Sequence, residues 1–118
     1  MFKTVCLLKR RAGMSFEDFQ AYYETHHRKI GEKVLPHDVR YMRRYLHPVP
    51  NPVTGESPEL EFDVLTEMWF DTQEAFDAAM AALGEPEIAA EIAEDEEKLF
   101  DRSKIRFCTI EEHESAMG

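Results

Sequence analysis

Long apolar runs are missing from this 118-residue chain. The longest, such as Val5 to Leu8, fall far short of the ~20 residues a membrane helix needs, so no spanning segment and no membrane partner are expected. An excess of basic charge is missing too. Lysines and arginines number 14 against 24 acids, a formal charge of −10, which argues against a nucleic-acid partner because phosphate recognition needs clustered cations. Cysteine is scarce: Cys6 and Cys108 lie at opposite ends, and no CxxC or His–Cys spacing suggests zinc. Both are expected to be buried, reduced thiols of a cytoplasmic protein. The start, Met1-Phe2-Lys3-Thr4-Val5, has none of the marks of a signal peptide. No glycine-rich phosphate loop, nucleophile elbow or flavin signature occurs, so neither an organic cofactor nor a metal is expected.

What is present reads as one globular domain, with 43% hydrophobic and 32% charged residues. Residues 1–112 form the expected domain and 113–118 a tail. Phe2 to Lys9 reads as a strand, and Ser15 as the N-cap of a helix whose first turn holds Glu17 and Asp18. Phe16, Phe19, Tyr23, Ile30 and Val34 give that helix an apolar stripe, Gly31 weakens it and Pro36 ends it. Val39 to Leu46 is a second strand. His47 to Leu60, with four prolines and Gly55, must be a loop, and a long one of functional or mobile character. Phe62 to Phe70 is a third strand. A second helix capped by Asp71 or Thr72 is interrupted by Gly84 and Pro86, and continues through the acidic run Glu85 to Asp101, which reads as a solvated face. Lys104 to Ile110 is the last strand.

The order is β-α-β-β-α-β, an α+β ferredoxin-like fold with a four-stranded antiparallel sheet and helices on one face. Several strands are apolar on both parities, as in Val5 and Leu7 against Cys6 and Leu8. The bare sheet face therefore calls for a second copy, a homodimer with two-fold symmetry.

His26 and His27 lie near the end of the first helix, and at ~100° per residue each falls roughly 50° to one side of the stripe. Periodicity leaves the choice between them open. Tyr41, Arg43 and Tyr45 share one face of the second strand. This ladder of two phenols and a cation suits a planar, oxygen-rich anion, and equally a sheet contact between copies. On the third strand Thr66 and Met68 alternate with Glu67 and Trp69. Glu67 either pairs with an arginine such as Arg44, the favoured reading, or stands as an acid of raised pKa. The available chemistry is proton transfer by histidine, with Tyr41 and Arg43 steadying an oxyanion, and Tyr45, Thr66, Met68 and Trp69 shaping the substrate site.

Lys9-Arg10-Arg11-Ala12-Gly13-Met14-Ser15-Phe16-Glu17-Asp18-Phe19, Tyr22-Tyr23-Glu24-Thr25-His26-His27, Arg40-Tyr41 and Met68-Trp69-Phe70-Asp71 together resemble the EthD family of the dimeric α+β barrel superfamily. The resemblance extends to about residue 110. The family's helix-ending histidine falls on His27, though the Pro-Leu that usually follows is replaced by Arg28-Lys29-Ile30. Methylmuconolactone methylisomerase, of the same superfamily, resembles the chain at Met14-Ser15 and Trp69-Phe70. That likeness implies His26 and Tyr41 as site residues, puts Met68 where the enzyme has a cysteine, which implies the loss of thiol chemistry, and turns Thr66 and Met68 toward the barrel interior. The resemblances imply a cofactor-free lyase, dehydratase, cyclase or isomerase acting on a small aromatic, polyketide-like or lactone metabolite. Two further readings go with them, a non-catalytic accessory protein of an oxidative degradation pathway and a cofactor-free monooxygenase.

Overall fold

The computed structural model describes residues 1–118. Strands β1 (Phe2–Leu8), β2 (Arg40–Tyr45), β3 (Val64–Phe70) and β4 (Arg106–Thr109) form one antiparallel sheet in the order β2-β3-β1-β4. This is the ferredoxin-like arrangement that the element order predicts. Helices α1 (Phe16–Tyr22), α2 (Arg28–Val34), α3 (Gln73–Leu83) and α4 (Pro86–Glu96) cover one face. The result is a two-layer slab, 46 × 44 × 23 Å.

Local chemistry explains the boundaries. Gly13, at φ +82°, makes the turn out of β1. Ser15 then caps α1 by accepting the Asp18 amide at 3.1 Å. Thr72, rather than Asp71, caps α3 through the Ala75 amide at 3.1 Å. Gly84 closes α3, and Pro86 opens α4 at a position where its missing N–H costs nothing. The helix expected from Ser15 to Pro36 does run on past the histidines. Between α1 and α2, however, Tyr23–His27 winds as a wider π turn. Thr25 Oγ1 donates to the Ala21 carbonyl at 2.7 Å and Arg28 Nε donates to the Glu24 carbonyl, so side chains serve the backbone oxygens beside it.

Register sets the faces. Tyr41 pairs with Met68, Arg43 with Thr66, Thr4 with Met68 and Cys6 with Thr66, so all of these look toward the helices. Lys3, Val5, Leu7, Leu65, Glu67 and Trp69 look the other way. On that open face Arg44 bonds Glu67 at 2.5 Å, the ion pair expected from the sequence.

The core comes in two pieces. Leu8, Phe19, Tyr23, Val64, Leu99 and Phe100 pack at one end, and Leu35, Met68, Phe70 and Ala79 at the other. The chain after α4 is drawn into the first cluster by the Arg10–Phe100 bridge and by the Asp101 amide on the Lys9 carbonyl at 2.9 Å. The cysteines depart from expectation. Cys108 is exposed, because β4 is a short edge strand, and Cys6 is only partly buried.

Candidate functional site

Where the two halves of the core fail to meet, the sheet and helix layers leave a half-open cavity of about 140 Å³. Strands supply Cys6, Leu8, Tyr41, Thr66 and Met68 to its walls. The first helical stretch supplies Tyr23, His27, Ile30 and Gly31, and α4 supplies Ile92 and Glu96. Ten of its fourteen lining residues are hydrophobic, the usual composition of a small-molecule site. Thr66 and Met68 do face a cavity, but it lies between sheet and helices within one chain, not between two sheets.

The histidine tie is broken by packing. His27 turns inward, its side chain 11% exposed, edge-on to Tyr23 and Phe100 at centroid distances of 5.1 and 5.2 Å. His26 turns outward, stacks on Tyr22 at 4.8 Å and bonds Thr25 Oγ1 at 2.7 Å. His27 Nδ1 lies 2.8 Å from Asp95 Oδ2, and the Tyr22 hydroxyl donates to the other oxygen of the same carboxylate. Burial works to raise the Asp95 pKa, but the hydrogen bonds from Tyr22 and His27 outweigh it and hold the group below the ordinary aspartate value. An ionised carboxylate only accepts, so Nδ1 carries a proton, and in the neutral imidazole the lone pair is on Nε2. Glu96, the next residue, behaves oppositely. Burial pushes its pKa up, despite the opposing influence of His27 and of Arg102 at 3.4 Å.

Hydroxyl groups converge on the strand side. Tyr23 and Thr66 share a 2.6 Å hydrogen bond, and the Tyr41 hydroxyl lies 3.5 Å from that of Tyr23. Burial raises the pKa of Tyr23 and of Tyr41, so both are neutral phenols and Tyr41 is a hydrogen-bond donor facing the cavity. Gly31 makes room for it: a Cβ there would come within 3.2 Å of the Tyr41 ring.

Besides His26, three expected site residues lie elsewhere. Arg43 donates to both oxygens of Glu24, at 3.0 and 2.8 Å, and its guanidinium sits 4.9 Å over the Tyr41 ring. The Tyr45 hydroxyl donates to the same carboxylate at 2.6 Å. The ladder thus shares a face as its alternation predicts, but the helix reaches over and occupies it. Trp69 is on the open sheet face, with Lys3 Nζ at 3.6 Å and Arg40 at 4.6 Å from its ring.

The sequence reading missed Asp95 and Glu96 by taking the acidic run as a solvated face. The signal was their spacing of three and four residues after Ile92, which puts all three on one helix side. It also missed Cys6. A thiol is present in the cavity after all, although burial pushes its pKa up to about 12 and keeps it protonated. The proline-rich loop contributes nothing to the lining. A larger surface crease of about 390 Å³ beside Lys9 and Lys104 is open, and Lys9 pairs there with Glu59 at 2.8 Å. No three His, Cys, Asp or Glu side chains converge in a metal-ligating group.

Among solved structures, a protein of Arabidopsis thaliana superposes with a TM-score of 0.60 at 15% identity, covering 99% of this chain and 100% of its own. An ethyl tert-butyl ether (EthD) family protein of Bacillus halodurans does so with a TM-score of 0.60 at 20% identity, covering 96% and 100%. At these identities the likeness is one of fold. No curated protein matches the sequence. Residues 11–103, from the turn after β1 to the segment after α4, match the EthD domain, and they include every helix that walls the cavity. The chain belongs to the EthD family.

Proposed function

We propose that the chain is a cofactor-independent acid–base enzyme, a lyase, dehydratase, cyclase or isomerase, acting on a small aromatic, polyketide-like or lactone metabolite. The observation that carries this reading is the Asp95–His27 pair at the edge of an apolar cavity. Asp95 fixes the imidazole tautomer, and His27 Nε2 takes a proton from the carbon beside a carbonyl. The Tyr41 hydroxyl donates to the oxygen that gains negative charge. Glu96 is placed to return the proton at a second position, which converts enolisation into isomerisation or elimination. Arg43 acts at one remove, holding the Tyr41 ring.

The test needs no known substrate. Hydrogen–deuterium exchange at the α-carbons of cyclic ketones and lactones in D₂O is followed by NMR. Wild-type protein is expected to accelerate exchange, with His27→Ala slower by ~10²-fold or more and His26→Ala unchanged. Absence of exchange above buffer, or full activity in His27→Ala, removes the catalytic reading and leaves that of a ligand-binding accessory protein.

We propose further that the open sheet face packs on a second copy. Only 15 of 118 residues are buried in the single chain, few for a self-sufficient core. The face presents Val5, Leu7, Leu65 and Met42 among paired charges, a mixed surface able to meet itself across a two-fold axis.

A further inference from the structure

The cavity is poor in cations. Of its lining side chains only His27 and Glu96 can carry charge near neutral pH, and no lysine or arginine reaches it. The arginines nearby are committed. Arg43 is bound to Glu24, and Arg102, itself 46% exposed, pairs with Glu96 from outside the lining. Whatever charge His27 gains on protonation already faces Asp95. A carboxylate entering this space would shed its hydration, find no ammonium or guanidinium, and share the room with the Glu96 carboxyl.

A neutral ring meets the reverse situation. Leu8, Ile30, Leu35, Met68, Ile92 and Phe100 give it apolar walls, while Tyr41, His27 and Glu96 offer hydrogen bonds to one or two oxygens. The volume also suits one ring. About 140 Å³ is close to the ~150 Å³ engineered cavity that holds one benzene molecule, so a single six-membered ring fits. A substituent on that ring has a way out past Leu35 and Tyr41, which also line an adjoining cleft of about 180 Å³.

We infer that the cavity selects uncharged, single-ring oxygen compounds (phenols, cyclic ketones and lactones) and rejects their carboxylated counterparts, because no cationic side chain lines it to meet a carboxylate. This rests on the cavity being the functional site, and it replaces the anionic ligand that the Tyr41-Arg43-Tyr45 ladder suggests from sequence.

The experiment is a ¹H–¹⁵N NMR titration at pH 7.5 with matched pairs, phenol against benzoate and cyclohexanone against cyclohexanecarboxylate. The neutral member of each pair is expected to shift the amides around His27, Tyr41 and Glu96 and to bind at least ~10-fold more tightly. In Ile92→Lys, which brings an ammonium to the cavity wall and whose spectrum reports folding, the preference for the neutral member of each pair should narrow or reverse. The carboxylates should gain most of the lost factor of ten. Leu83→Lys, on another part of the lining, serves as the second variant should the first disturb the spectrum. Benzoate binding as tightly as phenol, an unchanged ratio in both variants, or no binding by either class at tens of millimolar overturns the inference. Catalysis is judged separately. Selective binding with no His27-dependent exchange would sink the enzymatic reading alone, and exchange on carboxylated rings would sink this one alone.

Discussion

Asp95 and Glu96 are chain neighbours whose environments push their pKa values apart, the pattern that separates acid and base roles in one site. Each shift is also a statement about stability. Asp95, lowered in the fold, contributes stability that is complete above the unfolded value of ~3.9 and is lost as pH falls through the folded value. Asp95→Asn should therefore lower Tm at pH 7 and flatten the acid limb of a Tm-against-pH series. An unchanged acid limb would mean that the His27 contact is not held in solution. Glu96 works in the opposite direction. With its folded pKa above the unfolded ~4.3, its neutral form stabilises at low pH, and that contribution is lost as pH rises through the folded value. Glu96→Gln should raise Tm at pH 8 and leave it unchanged near pH 4, while slowing α-carbon exchange. Equal Tm shifts at both pH values would count against a raised carboxyl. None of this can be read from Glu94-Asp95-Glu96-Glu97 alone, where four acids look alike until Ile92 fixes which side turns inward.

At the level of elements, the strands and their parity were legible because alternation is a local property that pairing preserves. The histidine choice was not. A uniform ~100° step puts His26 and His27 at equal angles, whereas the actual chain inserts a wide turn between Tyr23 and His27 and hands the inner position to His27. Arg43 and Tyr45 show the same limit, since parity tells which side chains share a face but not which face turns inward or what the facing helix has put there. Gly31 offers an element-level test. Alanine in mid-helix ordinarily gains up to ~1 kcal/mol over glycine, but its Cβ would crowd the Tyr41 ring at 3.2 Å, and Arg43 already lies over that ring at 4.9 Å. Gly31→Ala is expected to show no rise in Tm and a fall in α-carbon exchange of roughly tenfold, comparable to losing one positioned donor. A stabilised, fully active variant would show that Tyr41 moves aside freely.

For the whole molecule, the ferredoxin-like sheet and its helical cover were readable from the order of elements, while the division of the core was not, because it depends on which distant segments meet. No helix is long and apolar enough to cross a membrane. Native mass spectrometry should find a dimer, and Trp69→Asp on the open face should shift it toward monomer while leaving the distant His27–Asp95 pair in place. A wild-type monomer at tens of micromolar would remove the self-association proposal. The split core carries a consequence of its own. Leu8, Tyr23 and Phe100 belong to one cluster and Leu35 and Met68 to the other, and all five line the same gap. A guest molecule there becomes the missing piece of the interior, touching both clusters at once and supplying the dispersion contacts that neither can give the other. Because α4 has no fully buried residue, it is expected to open more readily than the sheet in the absence of a guest. Occupied, the protein should protect α4 amides and unfold as a single block, so the ring it takes in would serve as a keystone as well as a cargo.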